Sequence, residues 1–158
     1  MLKSGRISSV LSEAALSVTK QLHLQDVSQN DGLLLSLSAS DGELLAASVP
    51  KDSSRFNICQ RISAVAASIA LEYIAIEKLE LSEFRSFTFS TDVRVVKCSR
   101  IFKIADSSFV FLIISLPVTC GLEEMAVLGL MRALGDRLEL DLLPSISPVL
   151  ESMVRPAV

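Results

Sequence analysis

Apolar residues recur along the N-terminal stretch at Ile7, Val10, Leu11, Ala14, Val18 and Leu22, at spacings of three and four. That period predicts an amphipathic helix over about 4–23, with Lys3, Ser8, Glu13, Thr19 and Gln21 off the stripe. LQDVSQND then carries the chain through polar turn formers to Gly32. From there the period changes to two. Leu33, Leu35 and Leu37 alternate with Leu34, Ser36 and Ser38, and strands are expected near 32–38 and 43–49. Between them, in SASDGELLAAS, Asp41-Gly42 supplies residues that tolerate the positive φ of a tight hairpin turn. PKDSS ends the second strand, and Asp52, Ser53 or Ser54 can cap a helix after it.

A second helix is predicted over about 54–78, and it carries two apolar stripes. Ile58, Ile62, Val65, Ile69, Tyr73 and Ile76 form one; Ala64, Ala67, Ser68, Leu71 and Ala75, mostly small, form another. A helix on the surface of a domain needs only one such stripe. The second is therefore expected to face a partner chain, since a domain of 158 residues seldom buries a helix all round. A strand-rich half comes next: SFTFSTDVRVVKC, RIFKIAD and FVFLIISLP, with a turn at Asp106-Ser107-Ser108. FVFLII is apolar at every position, as in a central strand covered on both faces. A third helix is expected from about Gly121 to Leu138, with Glu123 and Glu124 in its first turn, where negative charge suits the helix dipole. The tail PSISPVLESMVRPAV holds three of the five prolines and is expected to be extended, with at most a short helix. The order helix, strand, strand, helix, three strands, helix predicts an α+β fold, an antiparallel five-stranded sheet with helices packed on it. One domain over 1–142 and a tail over 143–158 are expected.

Composition sharpens this picture towards binding. Half the residues are apolar and the mean hydropathy is +0.50, which in a small domain places apolar surface at an interface. The longest apolar run in the strand-like region has six residues, far from the roughly 20 a spanning helix needs, and MLKSGRISS lacks the apolar core of a secretory leader. A net charge of -3 with pI near 5.2 argues against nucleic-acid binding. Arg94, Lys97, Arg100 and Lys103 make a local basic stretch, expected to be a solvated strand face, with an anionic partner surface as the alternative. Cys59, Cys98 and Cys120 are widely spaced without CxxC, as free core thiols in a reducing compartment would be.

Chemistry is hard to assemble from these residues. His23 is the single histidine and sits at a helix end, so no histidine pair or Ser/His/Asp set has support. Glu123 and Glu124 are adjacent on a helix and diverge. Neither GxxxxGK[ST] nor GxGxxG occurs, and six glycines leave few places where backbone can approach phosphate. No catalytic residue, metal or cofactor is expected, and an enzyme of unassigned type is the residual reading.

SLSASDGELLAAS as a first hairpin with a long helix after it resembles the Roadblock/dynein light-chain domain family. Within it, MLKSGRISSVLSEA, SRIFKIADSSFVFLIISLP and GLEEMAVLGLMRALGDRL are similar to the roadblock-type subunit of Ragulator, the late endosomal/lysosomal adaptor, MAPK and mTOR activator complex. The resemblance covers about residues 1–142. A longer segment around LELSEFRSFTFSTDVR and a longer tail depart from the animal subunit and point to a fungal counterpart of the EGO-complex kind. The resemblance implies a non-enzymatic scaffold that pairs with a second roadblock subunit by central helices and by third strands edge to edge. A lipid-anchored subunit then wraps the pair on the lysosomal or vacuolar membrane, an indirect membrane association, and the assembly carries Rag GTPases that recruit TOR kinase. By position, Ala64, Ala67, Ser68, Leu71 and Ala75 would line the helix contact, and Val93, Val95 and Val96 would lie on the pairing strand. A dynein-type light chain acting as cargo adaptor and a roadblock-type GTPase regulator are the alternatives the resemblance allows.

Overall fold

The computed structural model describes residues 2–22, 33–80, 84–91, 93–105, 108–117 and 124–154. His23, Cys120, Glu123 and the Asp106-Ser107 turn lie outside the described residues. The elements run α1 (Leu2–Leu22), β1 (Leu34–Ala39), β2 (Leu44–Ala47), α2 (Ser54–Glu80), β3 (Ser86–Ser90), β4 (Arg94–Ala105), β5 (Ser108–Pro117) and α3 (Glu124–Val154). All strand pairs are antiparallel, in the order β2-β1-β5-β4-β3. The expected fold class and element order are those observed. β5, which contains FVFLII, lies in the middle of the sheet, and β2 and β3 are its two free edges.

Strand parity divides the molecule into two cores. Leu35, Leu37, Val95, Val110, Leu112, Ile114 and Leu116 face α1 and α3, where Ile7, Leu11, Met131, Leu138, Ile146 and Leu150 close over them. Phe87, Val96, Cys98, Phe109, Phe111 and Ile113 face α2 and meet Ile62, Ala66, Ala70 and Ile74. The aromatic bulk on this second face belongs to the sheet, and α2 meets it with two alanines flanked by Ile62 and Ile74. Ala66 and Ala70 are almost fully buried, while Val65, Tyr73 and Ile76 turn outward. The helical period alone puts those three on the core stripe. Volume complementarity against the sheet's phenylalanines decides otherwise.

Local signals explain the turns. Asp41 Oδ1 accepts the Glu43 N–H at 2.9 Å, the Gly42 N–H donates to the Ala39 carbonyl at 3.0 Å, and Gly42 has φ of 97°. Ser53 Oγ accepts the Arg55 N–H at 3.2 Å and caps α2. SFTFSTDVRVVKC, expected as one strand, is broken at Thr91. Its hydroxyl accepts the N–H groups of Val93 and Arg94 at 3.3 and 3.0 Å, and the chain reverses into the β3–β4 hairpin.

No boundary appears at residue 142, because α3 continues through to Val154. Pro144 and Pro148 lie inside it on the exposed side, where water can take the place of a missing helical donor. On the opposite side Leu142, Ile146 and Leu150 are buried in the first core. Burying three such side chains contributes about 1.5–3 kcal/mol each, a sum of the same order as the cost of about 3 kcal/mol for each of the two prolines. Residues 143–154 thus continue the helix, with Ile146 and Leu150 in the core, and do not form an extended arm.

Candidate partner interface

Five of the eight exposed large hydrophobic residues among the described ones lie on α2: Val65, Leu71, Tyr73, Ile76 and Leu79. Leu71 is 64% exposed and Leu79 84%. Ala64, Ser68 and Ala75 lie exposed among them and add little bulk. Their small side chains would let another helix approach closely. By length and composition α2 is apolar enough to cross a bilayer; here its inner stripe packs on the sheet.

The residues singled out from sequence separate into two groups. Ala64, Ser68, Leu71, Ala75 and Val93 are exposed. Ala67, Val95 and Val96 are buried within this chain and are corrected accordingly. Ala67 faces the hairpin turn, where a Cβ on Gly42 would stand 3.4 Å from the Ala67 Cβ. Part of the small-residue stripe therefore seats the β1–β2 turn. Val95 and Val96 point into opposite cores. Over Val95–Ser99 their strand, β4, is paired on both sides, with β3 and β5, so this stretch has no edge to offer. The free edge is β3. Sequence reasoning misses it by running one strand through Ser90-Thr91-Asp92, although that cluster of polar turn formers is the signal of the break.

β3 is continuous with the apolar face of α2. Tyr73, half-exposed on the helix, stacks on Phe87 of β3 with ring centroids 5.2 Å apart, and Phe89 stacks on Phe87 at 6.2 Å. Behind them Arg100 lies between the rings of Phe84 and Phe109, 4.4 and 3.7 Å from their centroids. Its guanidinium pairs with Glu77 of α2, with Nη2 to Oε2 at 3.2 Å, and donates to the Phe84 carbonyl at 3.2 Å. Glu77 Oε1 also accepts the Phe84 N–H at 2.7 Å. The end of α2, the approach to β3, and β4 are therefore tied together around one ion pair.

The basic stretch is not a solvated face. Arg94 is buried and donates to Ser115, Lys97 is buried on the α3 side, and Arg100 is enclosed as described; Lys103 alone is exposed. Strand parity sends Arg94 and Arg100 to one face and Lys97 to the other.

The two described cysteines are free and buried. Burial pushes the Cys59 thiol up from its usual 9.0 to about 11, with Arg94 and Arg55 pulling weakly the other way, and burial raises Cys98 as well. Both are neutral thiols at neutral pH, so no nucleophile is prepared. In the native chain at about pH 8 neither should react with a disulfide reagent until the protein unfolds, as a thiol titration with and without denaturant would read. Because the folded state holds these protons more tightly, their contribution to stability is complete below pH 9.0 and is lost as pH rises through about 11 for Cys59.

Among the described residues no group of three or more His, Cys, Asp or Glu side chains is placed to hold a metal ion. No protein-family model matches the chain, and no curated protein matches it in sequence. Solved structures do match. An MglB with a tetrameric arrangement superposes with TM-score 0.57 at 15% identity, over 95% of this chain and 91% of that one. Myxococcus xanthus MglB gives 0.57 at 14%, over 96% and 95%. The gliding protein MglB from Thermus thermophilus gives 0.52 at 15%, over 89% and 90%. At such identities the likeness is one of fold, and the five-stranded antiparallel sheet with helices in the order α-β-β-α-β-β-β-α is the roadblock fold.

Proposed function

We propose that this chain is a non-enzymatic adaptor subunit that pairs with a second roadblock-fold chain through the outer face of α2 and the free edge of β3. The observation that carries this is the exposed apolar face from Val65 to Leu79, continuous through Tyr73 and Phe87 with an unpaired strand edge. Interfaces of obligate pairs often bury more than about 2,000 Å², and a helix face joined to a strand edge offers both apolar area and backbone hydrogen bonds.

The finer reading rests on the sequence resemblance. The partner is the second roadblock subunit of a Ragulator/EGO-type complex. A lipid-anchored subunit wraps the pair at the cytosolic face of the lysosome, late endosome or vacuole, and the assembly presents Rag GTPases for amino-acid signalling to TOR.

Affinity purification of the full chain tests both levels. Recovery of a roadblock-fold protein with a lipid-anchored subunit and Rag GTPases supports the complex; a roadblock-fold partner without them leaves the pairing and removes the Ragulator reading. Leu71→Arg should weaken pairing by about 2 kcal/mol or more, roughly thirtyfold, by placing a charge in an apolar contact. Co-elution with the partner unchanged by that substitution would take α2 out of the interface.

A further inference from the structure

β3 extends beyond the cover of α3, and between them lies a cavity of about 650 Å³ on the side of the sheet away from α2. That volume falls in the range of small-molecule sites. Its lining mixes apolar residues, Phe89 and Val95 among them, with hydroxyls, two cationic side chains and the Asp136 carboxylate. Ser86, Thr88 and Ser90, at alternate positions of β3, present three exposed hydroxyls that make no hydrogen bond among the described residues. Thr88 is the cross-strand partner of Lys97. Arg132 stands at the rim on α3.

Lys97 is the unusual member. It is 5% exposed, and its ammonium occupies the space beside Gly135 of α3, where an added Cβ would come within 2.5 Å of Nζ. Lysine is seldom buried this far without close pairing. Here the described acceptors are the Arg132 carbonyl at 3.3 Å and Asp136 Oδ1 at 3.5 Å, and the Asp136 side chain is 73% exposed. A pair with so exposed a carboxylate is strongly screened and weak. The next residue on the same face of β4, Ser99, is also buried, with a hydroxyl that has no partner among the described residues. Buried donors left this lightly satisfied are costly, and the space next to Lys97 is open.

We propose that this cavity binds a small oxyanion, a molecule carrying a carboxylate or phosphate group. The oxyanion accepts from Lys97 Nζ, with Arg132 and the hydroxyls of β3 as further donors, and Asp136 swings into solvent as its group is replaced. The site lies on the opposite face of the sheet from α2, and it shares β3 with the pairing proposed above, whose partner would take the edge of that same strand.

Titration calorimetry on the full chain tests it, with inorganic phosphate and citrate as separate probes and chloride at matched ionic strength as the control. The expected result is saturable binding of at least one probe with a dissociation constant of about 1 mM or tighter; which probe binds identifies the group. Lys97→Met should weaken that binding about tenfold or more, through loss of a charge-assisted hydrogen bond. Arg132→Gln, at the exposed rim, should weaken it several-fold, and carries the decision if Lys97→Met does not fold. Asp136→Asn should tighten it, because the substitution removes the competing carboxylate, an effect that loss of a merely structural ion pair would not produce. Absence of saturable binding to either probe, binding indifferent to both cationic substitutions, or weaker binding in Asp136→Asn would each overturn the proposal.

Discussion

Glu77→Ala is expected to destabilise the chain by about 3–5 kcal/mol, because it leaves a largely buried guanidinium without its carboxylate. The side chains of Arg100 and Glu77 are 10% and 14% exposed, so water can replace little of what is lost. The substitution also strips the Phe84 N–H of its acceptor and leaves the Arg100 Nε, already without a partner among the described residues, in a site with one fewer acceptor. Arg100→Met should cost less. An apolar side chain of similar length can fill the slot between Phe84 and Phe109, and Glu77 retains the Phe84 N–H. The double variant should therefore be more stable than Glu77→Ala alone. Urea denaturation of the three variants reads these differences, and a loss under about 1 kcal/mol for Glu77→Ala would show the pair to be screened like a surface bridge.

That ion pair is not legible in the sequence, and the reason is geometric. Glu77 and Arg100 are 23 positions apart, and only the β3–β4 reversal at Thr91 brings the α2 end beside β4. The basic stretch looks like one feature because linear spacing does not reveal which face each strand position takes. Short-range signals do better. The Asp41-Gly42 turn, the cap at Ser53 and the central position of FVFLII are all where the local pattern places them, since each depends on a few neighbouring residues. The exposed half of the α2 stripe is also visible as surplus apolar character, while its division into Ala64, Ser68, Leu71 and Ala75 outside and Ala67 inside requires the hairpin turn that leans on the helix. The prolines hide the length of α3. Leu138, Leu142, Ile146 and Leu150 recur every four residues through them, and that apolar period is the better guide.

The division into two cores carries the second large prediction. Phe111→Ala should cost about 3–5 kcal/mol. It is among the largest of the fully buried side chains and lies within 6.5 Å, centroid to centroid, of Phe84 and Phe109. α2 meets this core mainly through alanines and isoleucines, so it has little bulk of its own with which to refill the hole. The cavity term should persist, and the helix above it should be the part that loosens. Leu112→Ala, one residue away on the α1 and α3 face, should cost about 2–5 kcal/mol and loosen the other layer. Amide hydrogen exchange separates the two cases. Protection should fall first along α2 in Phe111→Ala and along α1 and α3 in Leu112→Ala, because local opening tracks the packing lost. Equal loss on both sides of the sheet in both variants would mean that the layers open as one unit. If the α2 layer does open alone, a partner covering Leu71, Ile76 and Leu79 should restore its protection in Phe111→Ala, since binding to the folded state stabilises what it covers.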